Sequence, residues 1–217
     1  MAEFDHKKDD HDSGRDDYDD HKGDYDHNYK SYKIVEGTKK DDYLHGSDKN
    51  EIFLAGKGND HVYGDGGKDY IFGQEGKDYL YGDKGDDRLY GGKGNDELHG
   101  GKDNDWLYGD NGNDKLWGDE GKDHLYGGKG DDWLYGGKGN DDLYGGEGKD
   151  TFVFDKKGSG YDTVYDYDEK KDDIDVNGVK DKDLHYEYKK GDTYVTWGDH
   201  DSSIKLVGIH LDDHHIA

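Results

Sequence analysis

GGKGNDELH (residues 91 to 99), GGKGDDWLY (127 to 135) and GGKGNDDLY (136 to 144) are three rows of a single repeat. Extended outward from them in rows of nine, the chain makes thirteen consecutive rows, from Gly37 to Val153, with no insertion or deletion. A fixed period over this length takes precedence over local propensity in deciding the fold. The eighth position is apolar in every row: Leu44, Phe53, Val62, Ile71, Leu80, Leu89, Leu98, Leu107, Leu116, Leu125, Leu134, Leu143 and Phe152. The sixth is a carboxylate in all thirteen. Twelve are aspartates (Asp42, Asp60, Asp69, Asp78, Asp87, Asp96, Asp105, Asp114, Asp123, Asp132, Asp141 and Asp150), and the remaining one is Glu51.

Each row divides into six residues of turn and three of strand. Glycines in the turn permit positive φ and leave carbonyls free to point at one centre. In the strand triplet position eight faces inward, and positions seven and nine face outward. Turns this short reverse the chain each time, so consecutive strands belong to opposite sheets and two rows make one coil. Residues eighteen apart then stack at about 4.8 Å in parallel sheets. The expected fold class is all-β, a parallel solenoid of thirteen rows over residues 37–153.

Composition alone points elsewhere. Only 28% of the chain is hydrophobic and 39% is charged, with a net charge of -25, values that usually accompany disorder. Disorder gives no reason to hold one apolar residue in phase thirteen times. Yet thirteen inward side chains are a small core to set against the entropy of ordering the turns and the mutual repulsion of the acids. Bound cations are expected to supply both the missing stability and the missing charge. The absence of cysteine excludes disulfides and thiolate zinc sites. A pI near 4.7 argues against a nucleic-acid partner, and no stretch reaches transmembrane length. The opening MAEFDHKKDD has no apolar run for a cleaved signal peptide.

Residues 1–36 are almost free of apolar side chains before Ile34 and read as a disordered acidic, His-rich arm. His6, His11, His21 and His27 lack the spacing of a defined zinc or copper site. The first two rows carry Lys40 and Lys49 in place of the position-four glycine and read as capping turns. The row from Gly100 places Asp103 at that position and is expected to distort its own metal pairs. Beyond the rows, residues 154–217 read as a C-terminal β cap, with strands around Val164 and Ile174, at 193–197 and at 203–207.

These rows resemble the GGxGxDxUx nonapeptides of RTX (repeats-in-toxin) proteins, which implies their calcium-binding β-roll fold. The segment YDTVYDYDEKKDDIDV (161 to 176) is similar to the D-x-I-x-D-F-x5-D-x-I-D-L stretch that follows the repeats in serralysin-type proteases and alginate epimerases. Tyr167 stands for its Phe and Val176 for its Leu. The resemblance implies secretion to the outside of the cell by the type I route, with an export signal in the C-terminal region. Zero prolines and three alanines depart from the family, which leaves an engineered β-roll as an alternative.

Calcium takes six to eight oxygen ligands, and a row offers both carboxylate and carbonyl. Stacking sets Asp96 beside Asp114 and Asp114 beside Asp132. In the other sheet it sets Asp87 beside Asp105 and Asp105 beside Asp123. Carbonyls of turn residues such as Gly91, Gly92, Gly94, Gly109, Gly112, Gly127, Gly128 and Gly130 complete the shell, as they do in the family. Thirteen rows allow at most eleven pairs, and about eight to ten ions are expected. No HExxH or GxSxG motif occurs, so a non-catalytic role is expected. Two functions are compatible with this reading: a matrix, adhesive or surface protein that folds on calcium outside the cell, or a carbohydrate-binding or export module of a secreted polysaccharide-modifying enzyme.

Position nine of the even rows forms a column, Phe72, Tyr90, Tyr108, Tyr126 and Tyr144, with Trp106 beside it at position seven. The odd rows are expected to break theirs at His45, His99 and Val153. An exposed aromatic strip either stiffens the solenoid by ring stacking or binds a polysaccharide or a second copy of the chain.

Overall fold

The computed structural model describes residues 32–180, 183–197 and 202–210. The expectations for His6, His11, His21 and His27, and for the last residues as an export signal, fall outside the described residues. Two sheets of eleven and nine strands face each other, and successive rows alternate between them. No α-helix occurs among the described residues.

The eighteen-residue register holds throughout the rows. Leu89 pairs with Leu107 in one sheet and Leu98 with Leu116 in the other, always in parallel. Position eight is fully buried from Phe53 to Phe152, so the core is a single file of side chains between the sheets. Leu44, in the first row, is only partly buried against that file. The strand Lys33–Glu36 pairs in parallel with Glu51–Lys57, Val35 opposite Phe53. The solenoid therefore extends into the segment read as an arm, where Val35 takes the inward place eighteen residues before Phe53.

Glycine at position four is required by close packing of the turns. Gly94 has φ 142°, and a Cβ on it would lie 1.6 Å from the carbonyl oxygen of Gly76. Asp103 occupies the same position with φ 79°, and the expected distortion is absent. The bonds on either side of its row keep their length, Asp87 N–H to Asp105 Oδ1 and Asp105 N–H to Asp123 Oδ1, both 2.8 Å. Aspartate is among the few residues that tolerate the left-handed region.

The C-terminal cap contains the expected strands at Tyr161–Val164, Asp173–Asn177, Asp192–Thr196 and Ser203–Leu206, and one more at His185–Lys189. Tyr161–Val164 and Ser203–Leu206 extend the larger sheet in parallel. The last two strands of that sheet then run antiparallel, which ends the stacking direction.

Candidate metal centre

Each position-six carboxylate sits where the turn of its row passes into the strand. From Asp60 to Asp150, its Oδ1 accepts the backbone N–H of the position-six residue eighteen residues earlier. Asp96 N–H donates to Asp114 Oδ1 at 2.7 Å and Asp114 N–H to Asp132 Oδ1 at 2.8 Å, with equivalent bonds from Asp60 to Asp150. The result is two ladders of carboxylates, one along each edge of the solenoid.

The second oxygen is different. Oδ2 of Asp60, Asp69, Asp78, Asp87, Asp96, Asp105, Asp114, Asp123, Asp132 and Asp141 is buried and has no hydrogen-bond partner. Buried acceptors are rarely left unsatisfied, and a charged one is costlier than a neutral one. Burial pushes these carboxyls up, against the pull of the backbone N–H each accepts: Asp87 and Asp123 to about 9, Asp105 and Asp114 to about 8, Asp69, Asp78, Asp96 and Asp132 to about 7. Neighbouring carboxylates of the same ladder add to the rise at Asp87 and Asp123. Ten buried acids in this state need a cation or a proton.

Carbonyl oxygens converge on the same places. The spot where a Cβ on Gly91 would sit lies 2.6 Å from Asp96 Oδ2 and 2.8 Å from the Gly109 carbonyl oxygen. At Gly109 the corresponding distances are 2.6 Å to Asp114 Oδ2 and 2.5 Å to the Gly127 oxygen. Any side chain at position one would fill this space. The carbonyls of Gly94 and Gly112 turn toward the position-four glycine eighteen residues on, and those of Gly128 and Gly130 toward Gly146 and Gly148. Gly92 holds the same place in its row as Gly128, with φ 102°. No point among the described residues gathers three or more side-chain ligands. An ion held here therefore draws most of its ligands from the main chain, and hard oxygen donors of this kind suit calcium.

The two N-terminal rows depart from this pattern. Asp42 Oδ2 accepts the N–H and the hydroxyl of Thr38 at 2.6 and 2.8 Å. Glu51 accepts the Ser47 hydroxyl at 2.6 Å and its N–H at 3.3 Å. In these rows a hydroxyl residue at position two supplies by hydrogen bonding what an ion supplies elsewhere. Asp42 thus belongs to the ladder, with its outer oxygen already satisfied.

A second ladder went unread in the sequence. The side-chain oxygens of position five cap the turn eighteen residues later: Asn95 accepts from Asn113 N–H at 3.0 Å, and Asn113 from Asp131 N–H at 3.1 Å. The signal was present, since position five is Asn or Asp in nine of the thirteen rows.

The sequence matches the RTX calcium-binding nonapeptide repeat in four copies, at residues 34–62, 45–80, 81–116 and 117–152. This chain belongs to the RTX calcium-binding repeat family. Its repeats are calcium-binding, and the orphaned Oδ2 atoms with their converging carbonyls are the groups that fit the ion. No curated protein matches the RTX chain. Among solved structures it is similar to the extracellular lipase LipA from Serratia marcescens, at 20% identity and TM-score 0.28, over 85% of this chain and 41% of the lipase. It is also similar to the AlgE6R3 subunit of the Azotobacter vinelandii mannuronan C5-epimerase, at 21% identity and TM-score 0.22, over 83% of this chain and 76% of that one. The RTX chain thus spans less than half the length of the lipase.

Aromatic rings line both outer faces. Phe72, Tyr90, Tyr108, Tyr126 and Tyr144 stack in near-parallel planes 4.7 to 4.9 Å apart. Tyr165 of the cap continues the column at 4.6 Å. Trp106 stacks on His124 beside it. The histidines expected to break the odd column do not. His45, Tyr63, Tyr81, His99 and Trp117 form one stack at 4.4 to 5.0 Å, because an imidazole is as flat as a phenol. Nor is the even strip openly exposed. Tyr70, Phe72 and Tyr90 are buried in a cluster of their own, with Tyr32, Ile52, Leu54 and Tyr108 packed against them. Among the described residues no helix is long and apolar enough to cross a membrane.

Proposed function

We propose that this is a non-catalytic RTX protein that is exported by type I secretion, folds on calcium outside the cell and serves a matrix, adhesive or surface role. The observation that carries the reading is the file of buried carboxylate oxygens without donors. They leave the metal-free fold costly at neutral pH and make calcium part of the structure. About eight to ten ions along the two ladders would cancel most of the net charge of -25.

Circular dichroism tests the proposal. The chain should be largely unstructured in chelator and β-rich in calcium, with reversible, cooperative conversion between the two. A β-rich spectrum that persists in excess chelator at neutral pH would sink it.

A second reading is favoured by the ring columns. They support retention of a polysaccharide, or of a second copy, along the half-buried part of the strip at Tyr108, Tyr126 and Tyr144. Calcium-dependent retention on an anionic polysaccharide, lost when Tyr108 and Tyr126 become Thr in a chain that still folds, separates this reading from simple stiffening.

A further inference from the structure

The nonapeptide period stops after Val153, but the carboxylate ladders continue past it. Thr163 and Val164 pair in parallel with Asp142 and Leu143, and Gly160 bridges to Gly139. Val164 is fully buried in the core file, and Tyr165 stacks on Tyr144. Tyr161 N–H donates to Asn140 at 3.0 Å, which continues the position-five ladder. A Cβ on Gly160 would lie 1.5 Å from the Gly139 carbonyl oxygen, the same close approach that position-four glycines make within the rows. Residues 157–165, KGSGYDTVY, therefore occupy the place of a fourteenth row. Three inserted residues, Phe154 to Lys156, shift the offset from eighteen to twenty-one and hide the row from the period.

Asp162 is the sixth residue of this hidden row. Its Oδ1 accepts Asp141 N–H at 3.0 Å, as every ladder carboxylate does for its predecessor. Its Oδ2 is buried without a partner, and the side chain is only 2% exposed. Asp141 Oδ2, in the adjoining row, is in the same state. The charged groups acting on Asp162 are Asp141 and Asp142, both acidic. The other sheet provides the contrast. There Asp172 repeats the ladder bond, accepting Asp150 N–H at 3.0 Å, but its Oδ2 accepts the N–H of Asp168 at 2.8 Å. One edge of the cap is thus closed by a protein donor, and the other ends on an unpaired carboxylate pair.

We propose that Asp162 and Asp141, with the Gly139 carbonyl that turns toward Gly160, form a calcium site that lies beyond the nonapeptide repeat and ties the cap to the solenoid. The proposal rests on the calcium reading of the repeats. Its ion bridges the last regular row and the strand Tyr161–Val164, on which Ser203–Leu206 and the terminal hairpin are built.

The test counts ions on the full chain by equilibrium dialysis against calcium, comparing the parent with Asp162→Asn and with Asp123→Asn as a control inside the repeat. Asparagine keeps an oxygen for the Asp141 N–H while removing the charge. Both variants should bind at least one ion fewer than the parent. If Asp123→Asn loses ions and Asp162→Asn binds as many as the parent, the cap site is wrong and the repeat reading stands. If neither loses ions, the repeat reading fails and the cap site falls with it. Should Asp162→Asn not fold, terbium-soaked crystals of the parent decide by anomalous scattering. A peak between Asp141 and Asp162 supports the site, and its absence while the repeat sites are filled overturns it.

Discussion

At the scale of single residues, the position-six carboxylates are equivalent in the repeat pattern but differ in what their second oxygen meets. Asp114 is shared by two pairs, accepting Asp96 N–H while its own N–H bonds Asp132, and its Oδ2 has no donor. Glu51 is just as buried, yet both its oxygens accept from Ser47. Asp114→Asn is therefore expected to lower the number of calcium ions bound, whereas Glu51→Gln should leave that number unchanged. Calorimetric titration of both variants with calcium checks this. Equal losses would contradict the assignment of the orphaned oxygens as ligands. The identity of these carboxylates was legible from the period alone. What separated Asp42 and Glu51 from the rest was the hydroxyl residue four positions before each, a contact that emerges only once the turn is folded.

At the scale of the element, a turn is held by two ladders, and only one of them involves ions. The position-five ladder consists of neutral and acidic side chains capping backbone N–H groups, so in the folded chain its oxygens are taken up by protein donors. Asn113→Ala leaves the N–H of Asp131 without its acceptor while Asn113's own N–H still bonds Asn95. The expected cost is about 1 kcal/mol, read as a lower midpoint in urea denaturation at saturating calcium with the ion count unchanged. A shift in ion count instead would mean that the two ladders are not separable. The strands, their register and the inward residue were legible in the sequence, because an apolar side chain returning every nine residues marks one inward place per row. The position-five ladder was not, since Asn and Asp already suit turns for local reasons and their long-range bonds leave no further trace. His45 and His99, expected to break a ring column, stack within it, because an imidazole offers a flat face to the ring on either side. The fourteenth row was hidden because three inserted residues precede it, two of them lengthening the strand Thr151–Asp155, and a fixed period cannot register a shifted row.

At the scale of the whole molecule, the stacking of buried acids makes protons and calcium two competing ways of stabilising the same fold. Without metal, burial holds the folded-state values of Asp69, Asp78, Asp96 and Asp132 near 7, of Asp105 and Asp114 near 8 and of Asp87 and Asp123 near 9. In the unfolded chain an aspartate titrates at about 3.9. A carboxyl whose folded value is raised contributes its full stability below the unfolded value and loses it as pH rises through the folded one. The chelated chain should therefore gain β structure as the pH falls from about 9 to about 4. Calcium requires the ionised carboxylates, so its affinity should fall over the same window as protons take its place. Circular dichroism across that range, with chelator in one series and calcium in the other, should give two curves that lie far apart at neutral pH and approach each other in acid. Dilute protein is needed, because the window includes the pI near 4.7, where solubility is lowest. A chelated chain that loses structure on acidification would show that the buried oxygens do not take up protons as derived.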